Sequence, residues 1–365
     1  MILISRPNHM HAFVLRVLPI LFLLLFTVQA RVLAQDSVSP YSIEDTIAID
    51  VDIFAEEEPA SITLIYDIRS FLRNKHKDEY IKALMIYHFN DTVDIEHEIR
   101  LKARGKNRLE RCPFPPIWIN ISKADIQNRQ LEGVKKIKMV THCARSKANF
   151  NYVFKEYLLY KMYNLLTPYS FRVRLINVKY VDAGRRNKEY EAWGFLIEPE
   201  DLLADRLDAN PLKLDNIRLN QTDPGVTDNM AVYQYMIGNA DYSIAGRHNV
   251  KLLILKDIEN RNPIPVPYDF DYSGFVNANY AIPGDNLGIT SVTQRYYLGP
   301  CMSEEAFNQI VSYFHEKSNE IYKLVESFEY LPESEKNRAI GYLDEFFENA
   351  GNSKYIMNNI LKTCR

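Results

Sequence analysis

Tryptophan is scarce in this chain of 365 residues, which has two against 24 tyrosines. Neither sign of charge dominates: 44 Lys and Arg stand against 47 Asp and Glu, a formal net charge of −3. Nothing in that balance asks for a nucleic acid or an acidic partner. Cysteine is limited to Cys112, Cys143, Cys301 and Cys364, none in a Cys-x-x-Cys pair, which removes the usual zinc spacing. Internal repeats and low-complexity tracts are absent, so a solenoid or an extended linker is not expected. Long apolar runs are missing too. The run from Val17 to Val28 is too short for a comfortable membrane span, and no Cys directly follows it to carry a lipid.

That short run sits in a recognisable setting. Arg6, His9, His11 and Arg16 precede it, and Val32-Leu33-Ala34 follows with small residues at cleavage positions. The pattern predicts a signal peptide over residues 1–34, cut after Ala34, with Ala30 the second choice and an uncleaved anchor the competing reading. The expected product is exported, to periplasm, cell surface or medium, with no stable membrane span after cleavage. In such an oxidising setting an even number of cysteines predicts disulfides, with free buried thiols as the alternative. Residues 35–45 read as an acidic leader.

The chain is organised around Gly238 to Ser273, which begins GNADYSIAGRHNVKLLIL and closes with IPVPYDFDYSG. Val250 to Leu255 and Ile264 to Tyr268 read as two short strands joined by a charged turn over residues 257–263. A hairpin would bring Asn249 and the pair Asp269 and Asp271 to one point. Oxygen ligands of that kind suit a hard cation such as Mg²⁺, which shares its shell with substrate phosphates. Asp241, upstream of the cluster, is left to accept a proton from an attacking hydroxyl. A base Asp, then a metal-binding Asn, then a metal-binding Asp is the order found in phosphoryl transfer. The competing reading takes all four as turn formers bonded to their own backbone.

NADYSIAGRHN followed by VPYDFDYSG resembles the active-site half of the spore-coat protein H-like family of atypical kinases. Members carry an Asn-x-Asp-like loop, an Asn shortly after, and Trp-Asp-x-Asp in place of Asp-Phe-Gly; Tyr268 stands where that Trp would be. The resemblance implies an α+β, two-lobed, atypical protein-kinase-like fold, with a β-rich first lobe and a mainly helical second lobe. It also implies ATP-dependent transfer to a hydroxyl on a protein, with Mg²⁺ or Mn²⁺ held by Asn249, Asp269 and Asp271, and Asp241 as the catalytic base.

Upstream, apolar–polar alternation from Ser61 predicts strands at SITLIYDI, KALMIYHF and DIEHEIRLKARG. Arg104 to Arg108 form a basic bend at Gly105, and Arg104 with backbone amides there suits phosphate oxygens. A solvated basic hairpin is the competing reading. Arg104 and Gly105 match the family's Arg-Gly-Asn, whereas Lys106 replaces the Asn. VKKIKMV, over 134–140, is a further strand, and Tyr152 to Leu166 has helical periodicity. Kinase-type sites pair a strand Lys with a Glu on the next helix, which selects Lys138 and Glu156 as cofactor-binding residues. FRVRLINVKYVD and EYEAWGFLIE then pair as a hairpin leading to a hinge at Glu198 to Glu200.

The expected division is a first lobe over 46–199 and a second over 200–365. Of the three possible cysteine pairings, Cys112–Cys143 and Cys301–Cys364 are expected, because each joins neighbours within one lobe. Helices are predicted at Glu200 to Leu207, at Thr227 to Gly238 with Thr227 as N-cap, and at three amphipathic segments between Ser303 and Lys362. The rival functions are a catalytically inactive binding or surface-assembly protein and, with few histidines to support it, a metal-dependent hydrolase.

Overall fold

A computed structural model describes residues 53–90, 92–121, 135–256, 262–350 and 352–365. The signal peptide, the leader and residues 257–261 of the charged turn lie outside the described residues.

Seven strands curl into a closed barrel: β1 (Ala60–Tyr66), β2 (Ile81–Asn90), β3 (Val93–Ala103), β4 (Ile117–Ile121), β5 (Lys136–Val140), β6 (Val173–Asp182) and β7 (Lys188–Ile197). Their order is β1-β2-β3-β4-β5-β7-β6, and the seam is closed by a parallel pairing of β6 with β1. Every other neighbour is antiparallel. The alternation read from the sequence is what fills the barrel. In β4, Ile117, Ile119 and Ile121 are buried while Trp118 and Asn120 are partly open. Ile62, Met85, Leu101, Met139, Val178 and Leu196, one from each of the other strands, join one apolar cluster with them. Closure leaves no free edge to pair with other chains.

This architecture corrects the sequence-based expectation. A closed seven-stranded mixed barrel with, among the described residues, eight α-helices does not fit a two-lobed kinase-like fold. The reason lies in β6 and β7, which the sequence suggested as a hinge hairpin between lobes. Instead β7 bonds to β5 and β6 bonds to β1, so the hairpin is the piece that completes the barrel.

Two short helices decorate the barrel: α1 (Ile68–Arg73), capped by the Asp67 side chain, and α2 (Asn107–Arg111) after the Gly105 bend. The long helix α3 (Lys147–Leu166) starts at Ser146, whose side chain accepts from the Asn149 amide. From Val153 onward it is buried on nearly every side, as a helix enclosed between layers must be. Helix α4 (Glu200–Arg206) and strand β8 (Ala209–Pro211) follow, and β8 forms a small sheet with β9 (Val250–Leu255) and β10 (Ile264–Pro267). Helix α5 (Pro224–Met236) begins three residues before the predicted start. Its cap is Asp223, which accepts from the Val226 amide with Pro224 at the first helical position; Thr227 instead donates to the Asp223 carbonyl.

Three C-terminal helices, α6 (Glu304–Glu326), α7 (Glu333–Ala350) and α8 (Ser353–Thr363), pack beside α3 and α5. Phe307, Ile310, Val311, Phe314, Ile321 and Val325 form the buried stripe of α6 at helical spacing. No helix among the described residues is long and apolar enough to cross a membrane.

Both expected disulfides are formed. Cys112 and Cys143 have Cα atoms 4.8 Å apart and tie the end of α2 to the segment between β5 and α3. Cys301 and Cys364, 4.9 Å apart, tie the start of α6 to the chain after α8. Two such bridges are compatible with an oxidising, exported location.

Candidate functional site

Strands β3, β4 and β5 bring their charged residues to one side of the barrel. Lys136 and Lys138 alternate with buried Ile137, so both point the same way, and Lys138 lies opposite Trp118 in the β4–β5 register. Gly105 (φ +90°) turns the chain after β3, and the Arg104 amide donates to the Pro116 carbonyl. The result is one indole ringed by three cations: Lys136 Nζ at 4.0 Å from the Trp118 ring, Arg104 at 5.4 Å and Lys138 at 5.7 Å. Lys138 also sits 3.9 Å from the ring of Tyr268, which follows β10.

These groups line a cavity of about 910 Å³, together with Lys213, Lys251 and the segment Glu198 to Asp201. Five basic side chains thus share one space with Glu198, Glu200 and Asp201, and Lys251 Nζ pairs with Glu200 Oε2 at 2.7 Å. Burial, followed by the nearby positive charges of Arg104 and Lys251, pushes the Lys138 ammonium down to about 7. One wall is fixed by Glu198, whose buried carboxylate accepts from Arg172 Nε at 2.8 Å and from Arg206 Nη2 at 3.0 Å. That clasp joins the end of β7 to the start of β6 and to α4.

Next to the cavity lies a group of carboxylates. The β9–β10 hairpin forms as the sequence predicts, with Val250 opposite Pro267 and the Tyr268 amide bonded to the Asn249 carbonyl. Both Asn249 (φ +53°) and Asp269 (φ +67°) adopt left-handed backbone, which non-glycine residues rarely hold without local reason. The Asp269 amide donates to the Tyr160 hydroxyl of α3, 2.8 Å away. Asn249 donates to the Asp241 carbonyl at 2.8 Å and to its Oδ2 at 3.2 Å, while His248 Nε2 meets Asp241 Oδ1 at 2.9 Å. The carboxylate of Asp241 is therefore gripped from both sides. Its hydrogen bond to His248 raises that imidazole above its ordinary value, against a smaller opposing effect of burial.

Glu156 and Asp271 are buried together, and Arg108 of α2 reaches between them. Arg108 Nη1 is 4.0 Å from Glu156 Oε2, and its Nε is 3.9 Å from Asp271 Oδ2. The guanidinium also donates to the Thr141 carbonyl and lies over the Tyr280 ring. Burial raises both carboxyls; Asp271 and Asp269 add to the rise at Glu156, and Asp269 adds to it at Asp271, while Arg108 opposes it at both. Glu156 Oε1, Asp271 Oδ2 and Arg108 Nε have no hydrogen-bond partner.

The structure joins Asn249 and His248 to Asp241, links Glu156 and Asp271 through Arg108, and sets Arg104 and Lys138 in the neighbouring cavity. Tyr268 lines that cavity and directly precedes Asp269 in the chain. The expected Lys138–Glu156 pair is not made, because Glu156 faces Arg108 and Lys138 faces aromatic rings. Sequence reasoning missed Arg108, taking it as part of a basic bend. No local pattern marks it, since Arg108 is the one buried residue of the five in α2. Trp118 was also missed, although its place opposite Lys138 follows once β4 and β5 are paired.

The donor set at the carboxylate point is oxygen only, which suits a hard divalent cation better than zinc. Among the described residues no group of three or more His, Cys, Asp or Glu is disposed to enclose a metal ion. Asn249, Asp269 and Asp271 carry the oxygens that would meet such an ion; Asp271 Oδ2 has no hydrogen-bond partner and lies 3.9 Å from Arg108 Nε. No protein-family model matches the chain, and no curated protein matches it. The resemblance to spore-coat protein H-like kinases thus rests on the motifs quoted above.

Proposed function

We propose that the chain is an exported, metal-dependent phosphotransferase that moves the γ-phosphoryl group of ATP to a hydroxyl. The observation that carries this reading is that Tyr268, which lines the cavity with its five basic side chains, directly precedes Asp269, whose charge acts on Lys138. Polyanion recognition and hydroxyl activation need that adjacency, and neither half alone would suggest transfer.

In the proposed reaction the base is Asp241, oriented by His248 and Asn249. The acceptor oxygen forms a bond to the γ-phosphorus as the bond to the ADP oxygen breaks, and the acceptor proton passes to Asp241. Lys138 and Arg104 hold the phosphate oxygens, with Trp118 and Tyr268 as flat walls for the remainder of the nucleotide. Asn249, Asp269 and Asp271 would hold Mg²⁺ or Mn²⁺, which when bound would neutralise charge on the phosphates. Positioning and electrostatics supply the catalysis, without a covalent intermediate.

Thermal unfolding with ATP, with and without Mg²⁺ or Mn²⁺, tests the proposal on the wild type and on Asp269→Ala. A ligand at about 100 times its Kd stabilises the folded state by about 2.7 kcal/mol. A metal-dependent rise that the variant lacks is the expected result. No shift at millimolar ATP in either protein would refute it.

A second reading is favoured by Arg108. Its guanidinium faces Glu156, where Lys138 was expected, and this suits an inactive binding or surface-assembly protein. Nucleotide binding with no transfer to any acceptor would select that reading.

A further inference from the structure

The two disulfides differ in their surroundings. Cys112 is 1 % exposed and Cys143 is 7 % exposed, and both belong to the apolar cluster around α3. Cys301 is open to solvent and Cys364 is half-buried. A thiol in solution can therefore reach Cys301 without any opening of the fold, whereas Cys112 and Cys143 are shielded.

The exposed bridge holds one segment against two hollows. The Arg365 amide, next to Cys364, donates to the Gly299 carbonyl at 3.0 Å. Arg365 thereby lies along a groove of about 300 Å³ that Asp241, Tyr242 and His248 also line. Its charge is felt there, since burial raises the Tyr242 phenol and Arg365 opposes that rise. Asn359, Lys362 and Thr363 of α8 wall a second hollow of about 350 Å³ together with Tyr235 and Arg295. Helix α8 has little else to hold it. Its 11 residues are too few for a helix to be stable alone, and among its described side chains Met357 and Ile360 are the two that are buried.

We propose that Cys301–Cys364 is a thiol-exchange site, and that its reduction by a dithiol frees residues 353–365 and uncovers the groove beside Asp241. A thiolate of the dithiol attacks Cys301 Sγ, the bond to Cys364 breaks, and Cys364 leaves as a thiolate that takes up a proton. The second thiolate of the dithiol then attacks its partner sulfur in the mixed disulfide. Cys301 leaves and is protonated in turn, and the reductant departs as its own disulfide, having given up two electrons. In an oxidising setting the strap is shut, with Arg365 beside Asp241. Reduction removes that cation and opens the way to the carboxylate, whatever reaction takes place there.

The test is titration of the full chain with dithiothreitol in native buffer, with alkylation and mass spectrometry to place the free thiols. Cys301 and Cys364 should become alkylated at a reductant concentration at least about tenfold below that needed for Cys112 and Cys143. Amide hydrogen exchange over residues 357–365 should then quicken by at least about tenfold, and re-oxidation before alkylation should restore it. Cys301→Ser combined with Cys364→Ser should show the fast exchange without reductant, and nitration of Tyr242 by tetranitromethane should rise in the same variant. Wild type reduced and alkylated at those two positions gives both readings if the variant does not fold. Reduction of both bridges together, earlier reduction of Cys112–Cys143, or selective reduction that leaves either the exchange or the Tyr242 nitration unchanged would overturn the inference.

Discussion

Replacing Arg108 by Met removes the cation from between two buried carboxyls while keeping much of the side chain's length. Glu156 is 1 % exposed and Asp271 is 4 % exposed, so water cannot take over the lost interaction. Removing one member of a buried ionic group costs about 3–5 kcal/mol, chiefly because the partners stay behind uncompensated. The loss should depend on pH, and its sign follows from the direction of the shifts. Burial and mutual repulsion raise both carboxyls in the folded state, so folding binds protons and stability falls as pH rises above the unfolded carboxylate values. Arg108 limits that fall by stabilising the ionised forms. Without it the carboxyls remain protonated to higher pH, and the fall continues further. Arg108→Met should therefore cost little near pH 5 and approach the full about 3–5 kcal/mol near pH 8. Urea unfolding followed by tryptophan fluorescence at the two pH values measures the difference. A cost below about 1 kcal/mol at pH 8, or the same cost at both, would refute the account of this cluster.

Two further outcomes follow from the fold. Replacing Cys112 and Cys143 together by Ser removes a bridge spanning 31 residues, and chain entropy sets the loss at about 4 kcal/mol, read as a lower urea midpoint with a steeper slope from the more open denatured chain. A loss under about 1 kcal/mol would show that α2 and the β5–α3 segment are held without it. Asp223→Ala should cost about 1 kcal/mol through the lost cap on the Val226 amide, while Asp223→Asn should restore most of it; equal losses in both would point away from capping.

Much of the local structure is legible in the residue pattern. Alternation marks the strands of the barrel, and Ser303 with the apolar stripe of α6 marks that helix, because each signal lies within a few neighbouring positions. The hairpin that joins Asn249 to Asp269 is legible for the same reason: β9 and β10 are close in the chain and their ends must meet. The start of α5 shows the limit of such reading. Asp223-Pro224 and Thr227 both resemble caps, and the choice falls to Asp223 because Pro224 fits only the first helical turn.

What the sequence by itself determined, then, is where elements lie, which residues are bulky and apolar, and that Asp241, Asn249, Asp269 and Asp271 belong to one neighbourhood. Tertiary structure decided the rest. Closure of the barrel depends on β1 meeting β6 in parallel, a pairing between distant segments that no local periodicity encodes. The partner of Glu156 was settled the same way. A lysine on β5, the strand just before α3, and an arginine on a five-residue helix compete for one buried carboxylate, and packing around α3 gives the place to Arg108. Long-range choices of this kind depend on which surfaces fit together, and that is a property of the whole chain rather than of any stretch within it.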